Sequence, residues 1–413
     1  MPALARLITS TPNPSAQPLN LDTVLATMLA ASDGISDCLF VVGKAPQVEA
    51  FGKLRPVDIP QFMPALQPAH TRMIAEKLIG EIERLKLDYQ ERGSCDTSYA
   101  VPNVARFRVN VFKQNGHHAI VMRRLSTDIP TIDGLKLPPL CKEIAREKNG
   151  LIFVTGATGT GKTTSLAAIL NEINGAQDVH VVTLEDPIEY LHPHKRATFS
   201  QRELGRDFPD FITGLRAALR QAPKIILVGE VRDRETMEIA LTAAETGHVV
   251  FATLHTINAS QTIHRIIGMF DQDEEGQIRE RLADVLRYVV SQRLIPKVAG
   301  GRILASELMG SNLRVREAVL LGESDLRRFH EIIEDNSVHG WHTFEMSLLN
   351  FFREGRISED TAMNNSVNKP EMRKAIDMAK KQMGTNNDAA TDMSLDLEAL
   401  HTRPGELTPR RGG

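Results

Sequence analysis

The sequence predicts an α/β protein in two parts, a small α+β domain and a larger core on a parallel sheet, closed by a helical C-terminal region. Three observations carry this prediction. Four runs, GLIFVTG, VHVVTLE, KIILVGE and VVFATLH, are apolar without a break, as strands buried on both faces must be. Before residue 130 the strands instead alternate: in RFRVNVF, Phe107, Val109 and Val111 share one face and Arg106, Arg108 and Asn110 the other, the period of a half-exposed sheet. After residue 310 the pattern reads as mostly helical.

The elements follow in order. Residues 1–20 are rich in Pro, Ser, Thr and Asn and are expected to be disordered. Leu21 to Ala31 has helical spacing, and CLFVV, ARFRVNVF and HAIVMRRL follow as strands. The last two flank KQNGH, whose Asn115-Gly116 pair signals a tight hairpin. Residues 21–128 therefore form the first domain. STDIPTIDGLKLPP, with three prolines, reads as a linker over 129–140. In the core, 141–383, a helix with Leu166, Ile169, Leu170 and Ile173 on one face follows the first strand. A later helix carries Ile278, Leu282, Val285, Leu286 and Val289. The end, 384–413, is expected to be a disordered tail.

Composition narrows the function. The 413 residues include 49 basic and 52 acidic ones, with 42% apolar and 24% charged, an ordinary globular balance. A net charge of −3 argues against a protein that coats nucleic acid. Cys38, Cys95 and Cys141 are odd in number and include no C-x-x-C pair, so buried free thiols are expected rather than disulfides or a thiolate zinc site. The N-terminus lacks the apolar run of a signal peptide. No uncharged apolar stretch approaches the length of a spanning helix, and a cytoplasmic protein is expected.

The strongest chemical signal is GATGTGKTT, Gly156 to Thr164. It fits G-x-x-x-x-G-K-[ST] with Gly156, Gly161, Lys162 and Thr163, after a strand and before a helix. Such a loop (Thr158, Gly159 and Thr160 lie inside it, Thr164 closes it) wraps backbone N–H groups around phosphates, with the helix dipole behind them. The pattern predicts that Lys162 reaches the β- and γ-phosphates of ATP and that the Thr163 hydroxyl ligates Mg2+. The second strand runs into EDPIEY, supplying Glu185, Asp186 and Glu189 near a turn set by Pro187; these carboxylates suit a phosphate site or a solvated acidic turn. The third strand ends in Glu230, placed to orient and deprotonate an attacking water or to serve as a strand-end charge. His248 precedes the fourth strand and His255 ends it; His255 suits a γ-phosphate sensor or a structural residue. DQDEEG fails as a calcium loop, because Leu282 stands where a bidentate Glu is required. No H-E-x-x-H spacing occurs, so no catalytic metal of that type is inferred.

Together these segments resemble the secretion-type ATPases, and within them the PilT/PilU group of twitching-motility motors, from about Leu21 to about Ile376. The group's Walker A loop is followed by an acidic box (here TLEDPIEYLH), a Walker B strand ending in Glu (IILVGEVRD) and a histidine box (ALTAAETGHVVFATLHT), in the same order. The resemblance implies a PAS-like N-terminal domain, a RecA-like P-loop ATPase core and a homohexameric ring. It implies that Glu230 is the general base, Glu189 the catalytic glutamate of the acidic box, His255 the γ-phosphate sensor and His248 a second nucleotide-site histidine. It further implies that arginines of the N-terminal sheet act on the neighbouring subunit's nucleotide, with Arg106, Arg108 and Arg123 as candidates and Arg108 and Arg123 preferred. ATP and Mg2+ are the implied cofactors. The implied partners are an inner-membrane pilus platform protein and a second pilus ATPase, with no nucleic acid, and the motor would work in the cytoplasm at the inner membrane.

Two departures mark the chain. SDCLF stands where the group usually reads S-D-L-H-L, and VREAVLLGES replaces A-I-R-N-L-I-R-E, losing the second Arg. The implied activity is type IV pilus retraction. An accessory PilU-like motor, a secretion or pilus-assembly ATPase and, from another class, a nucleotide-regulated binding module are the rival readings.

Overall fold

Six antiparallel strands open the fold: β1 (Ile35–Phe40), β2 (Gln47–Ala50), β3 (Lys53–Pro56), β4 (Ser94–Val101), β5 (Ala105–Gln114) and β6 (His117–Leu125), ordered β3-β2-β1-β6-β5-β4. The computed structural model describes residues 20–102, 104–125, 128–324 and 327–382. The segments expected to be disordered lie outside these, except Asn20, whose side chain accepts a hydrogen bond from the Thr23 amide and caps helix Leu21–Ala30. Asn115 and Gly116 both have positive φ (48° and 77°) and join β5 to β6 by the tight turn the sequence signals. Alternation in β5 holds: Phe107, Val109 and Val111 are fully buried, whereas Arg108 is exposed. The buried face packs with helices Leu21–Ala30 and Pro68–Ile79 through Leu25, Met28 and Ile74.

The strands of the core are β7 (Gly150–Thr155), β8 (His180–Glu185), β9 (Thr198–Glu203), β10 (Ile225–Val228), β11 (Val249–Leu254), β12 (Leu286–Pro296) and β13 (Arg302–Met309). The chain divides into two compact units, one from the described residues of Met1–Thr131 and Leu170–Gly229, the other from those of Ile132–Ile169 and Glu230–Gly413. In the first unit β8 pairs in parallel with β10 on one side and β9 on the other. In the second, β7 lies between β11 and β12, parallel to both, and β13 runs antiparallel to β12. Every residue of β7, β10 and β11 is buried, which accounts for their unbroken apolar sequence.

One expected helix ends early. The spacing Ile278, Leu282, Val285, Leu286, Val289 predicts a continuous helix, but the helix stops at Val285 and Leu286 turns extended (φ −60°, ψ 128°) to start β12. Leu286 and Val289 are buried as strand residues facing the core. Among the described residues five α-helices follow β13: Leu313–Leu321, Phe329–Asp335, Phe344–Arg353, Glu359–Asn365 and one over 369–382. The three cysteines are buried and free. Among the described residues no helix is long and apolar enough to cross a membrane.

Candidate active site

The glycine loop leaves the C-terminal end of β7 and runs into helix Lys162–Ala176. Gly156, Gly159 and Gly161 have φ of 145°, 80° and 90°, backbone that only glycine adopts cheaply. At Gly156 a Cβ would also lie 2.6 Å from both the Gln292 carbonyl and the Thr160 hydroxyl. The loop is thus a cradle closed around its own backbone. Lys162 Nζ donates to the carbonyls of Gly156 (2.7 Å) and Ala157 (3.1 Å), so its ammonium is held over the loop, where a phosphate would be met. Thr160 Oγ1 caps the turn by donating to Ala157 O at 2.9 Å. Thr158 and Gly159 are exposed, and Thr163 and Thr164 are half-buried at the helix start. These features fit a nucleotide phosphate chain.

Two buried braces beneath the loop escape a reading of the sequence. Thr155 and Ser291 share a hydroxyl hydrogen bond of 2.9 Å, and Gln292 Nε2 donates to Ser165 Oγ at 2.8 Å. They tie β12 to both ends of the loop, and β12 carried no strand signal.

Glu230 follows β10 and is held from two sides. His255 Nε2 lies 3.0 Å from one carboxylate oxygen, and Arg232 donates to the other at 2.6 Å. The hydrogen bond and charge of Arg232 hold the Glu230 carboxyl below the ordinary glutamate range, against partial burial, and the charges of His255 and Lys162 add to this. The carboxylate is therefore ionised around neutral pH and faces the same field as the loop lysine. His255 reaches it because β11 ends at Leu254, and because the Val231 amide donates to Thr253 O at 3.1 Å. Arg232 was not singled out from the sequence; its place two residues after Glu230 was the available signal.

The acidic box lies in the first unit. Glu185, at the end of β8, is buried, and burial pushes its carboxyl up to about 7, although Thr183 Oγ1 (2.6 Å) and Gln201 Nε2 (3.1 Å) donate to it. The charge of half-buried Glu189 pushes the same way. Asp186 is exposed, and the Asp186–Pro187 bond is cis. Beside the box, Glu203 at the end of β9 accepts from Ser98 Oγ (2.6 Å), Arg106 (2.5 Å) and the Ile188 amide (3.3 Å). Arg106 thus has an intrachain partner, and with only 13% of its side chain exposed it does not stand as a free arginine for a neighbouring subunit. Arg108 and Arg123 face each other across β5 and β6 and are both exposed. Arg123 Nε donates to Asp37 at 3.0 Å. Arg108 lines a cavity of about 90 Å³ together with Arg84, Thr97 and Asp186.

His248 requires a correction. The expectation placed it at the nucleotide, but it precedes β11, and its carbonyl accepts from the Gly150 amide at the start of β7. Strands β7 and β11 are parallel, so the glycine loop lies at their other end, beyond Thr155 and Leu254. Six residues of strand separate the two places, about 20 Å. The His248 ring instead meets the Ala243 carbonyl (2.9 Å) and Thr246 hydroxyl (3.2 Å), closing the preceding helix.

A parallel strand, a glycine loop with Lys162 turned over it, and a histidine-held glutamate at a nearby strand end define a P-loop nucleotide-hydrolysing enzyme. The chain belongs to the type II/IV secretion system protein family, which it matches over residues 97–311, and it is an ATPase that binds nucleotide. It is 37% identical over 342 residues to the type IV pilus retraction ATPase PilT of Pseudomonas aeruginosa, covering 83% of this chain and 97% of the relative. To the type IV pilus ATPase PilU of the same organism it is 35% identical over 382 residues, 91% of this chain and 96% of that one. Its fold is similar to the crystal structure of the pilus retraction motor PilT with bound ADP, with a TM-score of 0.75 at 37% identity, over 86% of this chain and 99% of that one.

Proposed function

We propose that this chain is a ring-forming ATPase motor that powers retraction of a type IV pilus. The observation that carries the reading is the Glu230 constellation, with its ionised carboxylate held by His255 in the field of Lys162. In this reading the Gly156–Thr164 loop holds the ATP phosphates, Thr163 ligates Mg2+, Glu230 accepts the proton of the attacking water, and His255 registers the γ-phosphate. Glu189 serves as the acidic-box glutamate. Arg108 and Arg123 offset charge on the nucleotide of the neighbouring subunit in a homohexamer. Residues 21–128 act as the PAS-like domain and 141–383 as the motor domain. The implied partners are the inner-membrane platform protein of the pilus machine and a second pilus ATPase.

The test has two parts. Replacing Glu230 with Gln keeps shape and hydrogen bonding but removes the base, so turnover should fall by about 10² to 10⁴-fold while ATP is still bound. Variants R108A and E230Q, each inactive alone, should recover partial turnover when mixed if the arginine works across subunits. Full activity in E230Q removes the base assignment; no recovery on mixing removes the arginine assignment. Deleting the gene should leave pili that extend but do not retract, whereas bald cells would point to assembly.

The accessory PilU-like role is favoured by two observations. The similarity to PilU spans 91% of this chain, against 83% for PilT, and VREAVLLGES lacks the second arginine of the retraction motif. Retraction that persists without this chain but weakens under load would select that reading.

A further inference from the structure

A cluster of metal-binding groups sits far along the chain from the nucleotide loop, among the C-terminal helices. His330 and Glu334 stand one turn apart on helix Phe329–Asp335, so both side chains project from one face. Glu371 comes from the first turn of the helix over 369–382. One ligand atom from each of the three lies within 4.8 Å of the other two.

The spacing within the cluster suits an ion better than direct pairing. His330 Nε2 and Glu334 Oε1 are 3.6 Å apart, too long for a hydrogen bond. Two ligands of one tetrahedral ion with bonds near 2.0–2.1 Å stand about 3.4 Å apart. The supports are also in place. Asn368 Nδ2 donates to Glu371 Oε2 at 2.6 Å, and Asn368 Oδ1 accepts from the Glu371 amide at 3.3 Å, fixing the carboxylate as an outer-shell partner would. Both helices are anchored, one by buried Phe329, Ile332 and Ile333, the other by Met372, Ile376 and Ala379.

We propose that His330, Glu334 and Glu371 form a binding site for a divalent transition cation of the zinc type, which clips helix Phe329–Asp335 to the helix over 369–382. One imidazole with two carboxylates is a donor set for zinc and its first-row neighbours rather than for magnesium or calcium, which take oxygen ligands. Electrostatics point the same way. Burial raises the Glu334 carboxyl above its ordinary value, and although His330 opposes this, the charges of Glu371, Glu345 and Asp335 add to it. A bound cation relieves that repulsion. With three protein ligands the fourth position falls to water, and the part proposed for the ion is to join the two helices.

The experiment uses the full chain, stripped with chelator and free of nucleotide. Zinc is titrated by calorimetry, and cobalt by its visible spectrum, which separates nitrogen and oxygen ligation from thiolate ligation by the buried cysteines. The expected result is one equivalent bound per chain without thiolate bands, and a thermal midpoint that rises with zinc. H330Q and E371Q, both at solvent-accessible positions, should each weaken binding by at least about tenfold and abolish the thermal shift. A wild-type chain that takes up neither ion overturns the proposal. So does uptake that is unchanged in both variants, or a spectrum showing thiolate.

Discussion

Glu307 offers a quantitative test of how the second unit tolerates a buried acid. It lies on β13 with its side chain out of water, accepting from the Ala259 amide at 2.8 Å. Burial pushes its carboxyl up to about 7 from an ordinary 4.5, against the Ala259 hydrogen bond and the charge of His330, while Glu345 adds to the rise and Arg293 opposes it. A raised carboxyl favours the neutral form in the folded chain. Its stabilising contribution is therefore complete below about pH 4.5, falls as pH rises toward 7, and changes no further above. At about 1.4 kcal/mol per pH unit the loss is on the order of 3 kcal/mol. Glutamine mimics the neutral acid and keeps an acceptor for Ala259, so E307Q should match wild type near pH 4 and exceed it by that order at pH 8. The single tryptophan, Trp341, is buried against Gly310 just after β13, so urea unfolding followed by its fluorescence reads this region. Repeating the comparison in H330Q removes the neighbouring imidazole whose charge acts on Glu307. A wild-type-to-variant gap that stays flat within about 0.5 kcal/mol from pH 4 to pH 8 refutes the reasoning.

Three further outcomes are expected. Replacing Gly156 with Ala imposes an unfavourable φ and a 2.6 Å contact with backbone, so fluorescent ATP-analogue binding should be lost; G159A, with open space around its Cβ position, should retain much more, and equal losses would contradict the cradle geometry. R106A strands the buried Glu203 carboxylate and should cost about 3 kcal/mol in urea unfolding, most of it recovered in R106M/E203M; equal loss in both would deny that the uncompensated charge is the cause. Because the hydrogen bond from Arg232 is the largest influence lowering the Glu230 carboxyl, R232Q should move the acid limb of the kcat profile to higher pH. An unmoved limb would show that Arg232 does not set the basicity of Glu230.

The legibility of the fold in the sequence followed burial. Strands β7, β8, β10 and β11 lie between covered faces and read as unbroken apolar runs. Strand β3 is exposed at every residue, and β9 (TFSQRE) is mostly polar; both are held by backbone pairing to neighbours rather than by an apolar signature, so neither could be recognised. Strand β12 was hidden for another reason. Leu286 and Val289 satisfy helical spacing by coincidence, and only their parallel pairing with Leu151 and Phe153 overrides it, a partnership more than 130 residues away in sequence.

The chemistry of the site shows the same division between local and distant causes. The loop glycines, Lys162 and the strand-end position of Glu230 are local facts, and the sequence displays them. The pairing of Arg106 with Glu203 spans 97 residues and had no local mark, which is why Arg106 stood among the candidates beside the preferred Arg108 and Arg123. Glu230 combines both kinds of cause. A glutamate rather than an aspartate there gives the carboxylate enough reach to meet His255 and Arg232 at once, one on each oxygen. An ionised carboxylate has about four lone-pair sites, so two remain after these bonds, and the group can accept from a water without releasing either partner. The same bonds lower its basicity, so its orientation is gained at the expense of proton affinity. For the ring-forming motor we propose, such a base has a use, because loss of the Arg232 hydrogen bond raises the proton affinity of Glu230.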